Sequence, residues 1–161
     1  MGLDMYLTAE RYFWTYPEDG PDALVAKSIA ALVPELAVDD TVKTVSVEAG
    51  YWRKANQIHN WFVKNVQDGV DECEPHEVSY EQLIQLRDAC QKVLDDNTLA
   101  DSLLPTGAGF FFGGTDYDEY YFSDLKDTIK VIDATLEKFF TEKLDDGTVY
   151  SKWEVKYQSS W

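Results

Sequence analysis

Polar and apolar positions alternate at the start of the chain. Leu3, Met5 and Leu7 fall on one side, with Asp4, Tyr6 and Thr8 on the other, the two-residue period of a half-buried strand. Tyr16-Pro17-Glu18-Asp19-Gly20-Pro21 interrupts the pattern with turn-forming residues. A short helix is predicted over 22–33, stopped by Pro34. Alternation returns over 42–48, with Val45 and Val47 as inward candidates. From Tyr51 onward the period lengthens. At about 100° per residue, Tyr51, Ala55, Ile58, Phe62 and Val66 share a narrow arc, widened by Trp52 and Val63. Arg53, Asn56, Gln57, Asn60 and Lys64 lie opposite. The spacing predicts a helix over 51–67, with Gly69 suited to the left-handed position just past its end.

A second helix is predicted from Ser79, where Ser79 and Gln82 have capping-box spacing and Val78 and Leu83 flank it as a hydrophobic staple. Its inward stripe is Leu83, Leu86, Cys90, Val93 and Leu94, and it ends near Asp95-Asp96-Asn97. Gly109–Gly113 encloses three phenylalanines and reads as a short buried strand. Ser123 is placed to cap a third helix, with Asp124 in its first turn and Leu125, Ile129, Ile132, Leu136 and Phe140 as its stripe. Asp145-Asp146-Gly147 turns into a last strand, where Trp153, Val155 and Tyr157 alternate with Lys152, Glu154 and Lys156. The predicted class is α+β: a small mixed or antiparallel sheet against about three helices, in one domain over 1–161. The first and last strands are candidates to pair.

Several segments are distinctive beyond their periodicity. They are the opening Met1-Gly2-Leu3-Asp4-Met5-Tyr6-Leu7, the stretches Tyr51-Trp52-Arg53-Lys54-Ala55-Asn56 and His59-Asn60-Trp61-Phe62-Val63, and the run Asn65–Asp71. Leu103-Leu104-Pro105, Gly109–Gly113, Tyr117-Asp118-Glu119-Tyr120-Tyr121 and the ending Gln158-Ser159-Ser160-Trp161 join them. Together these blocks resemble a family of small bacteriophage- and prophage-encoded proteins, with 9–41 matching least. The resemblance implies expression inside a bacterial cell and a phage-related role, and it carries no catalytic residues with it.

Charge narrows the partners. The chain has 30 acidic and 14 basic residues, a net charge of −16. Residues 1–80 hold 14 acids and 6 bases and residues 81–161 hold 16 and 8, so each half carries −8 and the acidity belongs to the folded body. Such a surface disfavours nucleic-acid backbones, which need clustered Lys and Arg. It favours a basic host protein, with plain solubility as the bland alternative. Met1-Gly2-Leu3-Asp4 lacks a basic and apolar leader, and no apolar run reaches the length of a membrane span. The expected compartment is the cytoplasm of the bacterial host, with Cys73 and Cys90 reduced.

Four features carry candidate chemistry. Trp52, Arg53, Asn56 and His59 would share one side of the helix predicted over 51–67. A planar face, a guanidinium fork and a titratable nitrogen suit a small anionic ligand, such as a nucleotide signal. A core role for His59 is the competing reading, because it falls inside the apolar arc. Cys73 and His76 have zinc-like spacing, but four ligands would consume every Cys and His in the chain. A solvated acidic loop explains 71–77 more simply, and no metal site is assigned. Gly107-Ala108-Gly109 and Gly113-Gly114 lack a phosphate-loop register, since Phe112 takes the third Gly position and no Lys directly preceding a Ser or Thr follows these glycines. Turns are the expected role.

Finally, no Lys or Arg occurs between Lys64 and Arg87, or between Lys92 and Lys126. Asp116, Tyr117, Asp118, Glu119, Tyr120 and Tyr121 would form an acidic, aromatic surface there, able to dock on a basic protein or mimic nucleic acid. No nucleophile elbow and no cofactor motif is present. The sequence therefore points to a non-enzymatic binding protein that sequesters or blocks a host partner or a small ligand. Alternatives are a small enzyme for an anionic molecule using the Trp52/Arg53/Asn56/His59 surface, or a self-associating subunit of a phage assembly.

Overall fold

The computed structural model describes residues 2–37, 40–109 and 112–161. Strand β1 (Asp4–Tyr12) lies between β2 (Thr44–Arg53) and β6 (Glu154–Ser160), and the two-residue β3 (His76–Glu77) joins the far side of β6. All three pairings are antiparallel, in the order β2-β1-β6-β3. The fold is α+β, and its first and last strands do pair, Asp4 opposite Ser160 and Glu10 opposite Glu154. Strands β4 (Glu142–Lys143) and β5 (Val149–Tyr150) form a separate hairpin, with Gly147 at positive φ in its turn.

The period-two pattern decides which face of the sheet is covered. Leu3 just before β1, Met5, Leu7 and Ala9 along it, Val155 and Tyr157 on β6, and Trp52 on β2 are buried together. Each fully buried large side chain of this kind contributes about 1.5–3 kcal/mol. The opposite face is polar and solvated. It carries Glu10 and Lys156 in a 2.7 Å ion pair, and the Tyr6 and Tyr51 rings 5.4 Å apart. An antiparallel sheet sustains such a one-sided core.

Helices α2 (Asn56–Asn65), α3 (Tyr80–Asp95), α4 (Ala100–Leu103) and α5 (Glu119–Phe139) follow β2, with a 3₁₀ turn over Asn97–Leu99. The capping box at Ser79 is formed in both directions: Gln82 N–H donates to Ser79 Oγ at 3.1 Å and Ser79 N–H donates to Gln82 Oε1 at 2.9 Å. Leu83, Leu86, Cys90 and Val93 are buried on α3 as expected. Helix α5 buries Tyr121, Leu125, Thr128, Ile132, Thr135 and Phe139 and runs against both α3 and β2. Its close approach to β2 depends on Gly50, where a Cβ would enter the van der Waals envelope of Val131 Cγ1.

Between β1 and β2 the chain makes an excursion containing α1 (Pro21–Ala30). Its neck is closed by Phe13 N–H donating to Lys43 O at 2.8 Å and by an Arg11–Asp22 ion pair at 2.7 Å. Ala23 and Ala26 are the buried residues of α1. Leu24, Val25, Leu32, Val33 and Leu36 are exposed, Leu32 at 82%.

Two expectations need correction. Tyr51, Trp52 and Arg53 belong to β2, not to a helix over 51–67. They pair with Tyr6, Met5 and Asp4, and the helix starts only at Asn56, after Lys54 reverses the chain. The third helix starts at Glu119, not after Ser123: Asp118 Oδ1 accepts from the N–H groups of Tyr120 and Tyr121 at 3.0 and 3.1 Å. An Asp side chain at this position satisfies two donors that Ser123, a turn later, could not. The strand expected over Gly109–Gly113 falls partly on Phe110 and Phe111, outside the described residues. No helix among the described residues is long and apolar enough to cross a membrane.

Candidate functional site

Strand β2 ends beside a reversal. Lys54 has φ 61°, the left-handed region that a residue with a Cβ seldom occupies, and its N–H donates to Leu3 O at 2.8 Å. Gly113, at φ 90°, packs on this corner; a Cβ there would lie 3.1 Å from Lys54 Cβ and 3.2 Å from Lys54 O. The reversal places Asn56 and Gln57 at the start of α2, facing the chain that leads into α5.

Asn56 holds that chain in place. Its Nδ2 donates to Phe112 O at 3.0 Å and to Gly114 O at 2.8 Å, and its Oδ1 accepts from Gly107 N–H at 2.9 Å. Both amide hydrogens and one carbonyl lone pair are thus occupied, and the residue is buried. The Thr106 hydroxyl donates to Thr115 O at 2.9 Å, closing the loop across its ends. Gln57 Nε2 donates to Asp124 Oδ2 at 3.1 Å, and Tyr121 donates its hydroxyl to Leu104 O at 2.9 Å.

The result is a cleft of about 310 Å³. One wall carries Arg53, Lys54, Asn56 and Gln57; the other carries Asp116, Asp118, Tyr120, Tyr121 and Asp124, with Thr106, Gly113 and Gly114 between them. Its five charges come from both signs, two bases facing three carboxylates. They do not neutralise one another: among the described residues, the one ion pair made by any of them is Arg53 with Asp4 on the sheet face, at 3.9 Å. Burial raises the Asp124 carboxyl above its ordinary range, with the Gln57 hydrogen bond opposing. The lining holds no Ser, Cys or His.

Arg53 and Asn56 from one expected surface, and Asp116, Asp118, Tyr120 and Tyr121 from the other, are therefore parts of a single cleft. Asp116, Tyr117, Asp118, Glu119 and Tyr120 are all exposed, Tyr120 at 72%, whereas Tyr121 is buried; Tyr117 and Glu119 lie outside the lining. Trp52 and His59 lie elsewhere. The Trp52 indole points into the core and donates to Thr128 Oγ1 at 2.9 Å. His59 is fully buried, its Nδ1 2.7 Å from the Tyr157 hydroxyl and its ring edge-on to Phe112. Asp71 stands 3.1 Å from His59 Nε2 but off the N–H direction, so the contact is an ion-pair approach without hydrogen-bond geometry. Burial lowers the His59 pKa, and Asp71 partly offsets it.

Lys54, Gln57 and Asp124 escaped the sequence reading. Lys54 adjoins Arg53, which was a usable signal; Gln57 and Asp124 look like any polar helix residues until the two helix starts meet. In the acidic loop, His76 Nε2 lies 2.9 Å from Glu72 Oε1 and Cys73 is exposed. Cys90 is a core residue whose thiol is pushed up to about 12 by burial. Among the described residues no group of three or more His, Cys, Asp or Glu is placed to hold a metal ion. Compared with protein-family models, curated proteins and solved structures, the chain matches none.

Proposed function

We propose that the chain is a phage-type binding protein that acts without chemistry, by docking on a basic protein of the bacterial cell through the rim Asp116–Tyr120 and the cleft behind it. The supporting observation is the continuous exposure of those five residues at the capped start of α5, in a stretch free of Lys and Arg from 93 to 125. Clustered carboxylates steer a basic partner in, and Tyr120 offers a large anchor at small entropic cost. The cleft lining supports binding over acyl or phosphoryl transfer, since its one aliphatic hydroxyl, on Thr106, already donates to Thr115 O.

A pull-down from bacterial lysate tests the reading. The wild-type chain is expected to retain a basic protein at low salt and release it as salt screens the rim. The variant Glu119→Lys/Tyr120→Ala is expected to retain much less. Equal retention by wild type and variant would remove the rim from the interface.

A further inference from the structure

We infer that the cleft takes a dipolar ligand of amino-acid size, its cationic end on Asp124 and its anionic end on Arg53 and Lys54. The inference deepens the reading of the cleft as part of the working surface and rests on it.

Five charges of both signs line one concavity without pairing across it. A simple anion placed there meets two bases and three carboxylates, and a simple cation meets the reverse. Either leaves one wall repelling it. A ligand with separated charges satisfies both walls at once, and only in one orientation. Asp124 is partly buried while Asp116, Arg53 and Lys54 are exposed. A cation gains most beside the less hydrated carboxylate, so the cationic end goes inward and the anionic end sits at the mouth. The raised Asp124 pKa agrees with a carboxylate short of a counter-charge.

The cleft is built for this before any ligand arrives. Asn56 fixes the glycine loop with three hydrogen bonds and Gln57 fixes Asp124, so little ordering remains to oppose binding. Its volume of about 310 Å³ is at the small end for ligand sites. The same dipolar chemistry is offered by a free basic amino acid and by a Lys or Arg at the C-terminus of a partner chain, whose side chain and terminal carboxylate carry opposite charges.

Amide chemical-shift titration of the full chain separates these. The probes are L-lysine, N-acetyl-Gly-Gly-Lys as free acid, the same peptide as C-terminal amide, n-butylamine and acetate. Exposed charges interact weakly, so affinities on the order of millimolar are expected. L-lysine, the free-acid peptide or both should shift Lys54, Gly113, Gly114 and Asp124. The amide, the amine and acetate should bind roughly tenfold more weakly or worse. Binding by L-lysine alone identifies the free molecule as the source, and binding by the free-acid peptide alone identifies a chain end. Lys54→Gln should bring the free acid toward the level of its amide. Asp124→Asn, which keeps an acceptor for Gln57, should bring L-lysine toward the level of acetate; unchanged shifts along β1 and β6 check that each variant is folded. Equal binding of n-butylamine or of acetate alone, or no shift with any probe up to about 50 mM, overturns the inference. The docking reading fails separately: retention of no basic protein at low salt, with the L-lysine shifts of the wild-type chain intact, removes the docking partner and leaves the ligand.

Discussion

The side-chain amide of Gln57 donates to Asp124 Oδ2 at 3.1 Å, joining the first turn of α2 to the early turns of α5 across the floor of the cleft. Burial raises the Asp124 pKa, so on acidification the folded chain takes up a proton before the unfolded chain does. Ionised Asp124 therefore costs stability at neutral pH, and the cost disappears as pH falls through the folded value toward 3.8. Asp124→Asn is expected to melt at or above the wild-type temperature at pH 7. Its advantage should shrink steadily in melts between pH 7 and pH 3; parallel profiles would show that the carboxylate is not paying for its burial.

His59 reports the opposite slope. Its folded pKa is depressed, chiefly by burial, below the ordinary 6.5. The stability tied to its neutral form is complete above that value and is lost as pH falls from it through the folded pKa. His59→Leu removes this limb of the pH profile. It also strands the buried Tyr157 hydroxyl, whose partner in the core is His59 Nδ1 at 2.7 Å, at a cost of about 1–3 kcal/mol. Chemical denaturation at pH 7 and pH 5.5 measures both effects.

Gly50 sets the distance between the sheet and α5. Gly50→Ala should destabilise by about 1–3 kcal/mol, because the new methyl collides with a stiff β-branched neighbour, Val131. In a chain of this size each kcal/mol moves the melting temperature by about 2–4 °C. Gly50→Ala/Val131→Ala should recover part of the loss, since the second change removes the colliding carbon. A double-mutant cycle with no coupling would contradict the packing described.

Asn56→Ala frees Gly107 N–H and the carbonyls of Phe112 and Gly114 together. The expected loss is about 1–3 kcal/mol. Amide hydrogen exchange should accelerate at Gly107 while remaining slow along β1 and β6. Acceleration across the whole sheet would instead assign Asn56 to the global core.

Much of this architecture was legible along the chain. The alternation Leu3/Met5/Leu7 marks the strand that ends up central, and the Ser79–Gln82 box marks the start of α3 with both of its hydrogen bonds. The stretch 51–53 misled for a physical reason. Tyr51 and Trp52 continue the apolar arc of α2 on a helical wheel, but pairing with Tyr6 and Met5, more than 40 residues away, outweighs that local fit. Nothing at position 54 announces a left-handed residue, since the site is occupied by Lys rather than Gly or Asn. The cleft was illegible as a unit because its walls come from 53–57 and 106–124. Each wall is an ordinary polar segment, and only the Asn56 and Gln57 bonds make them neighbours.

The pairing of Asp4 with Ser160 also sets a timetable. As the ribosome releases the chain, β1 and β2 are available as a hairpin early, yet the other side of β1 must wait for residues 154–160. At about 5–20 residues per second, that gap of roughly a hundred residues lasts on the order of ten seconds. Throughout it Met5 and Leu7 lack their β6 partners Ser159 and Tyr157, and β1 presents an unpaired backbone edge to everything nearby. The nascent chain is thus most open to misassociation before residues 154–160 arrive, and slower elongation lengthens that window.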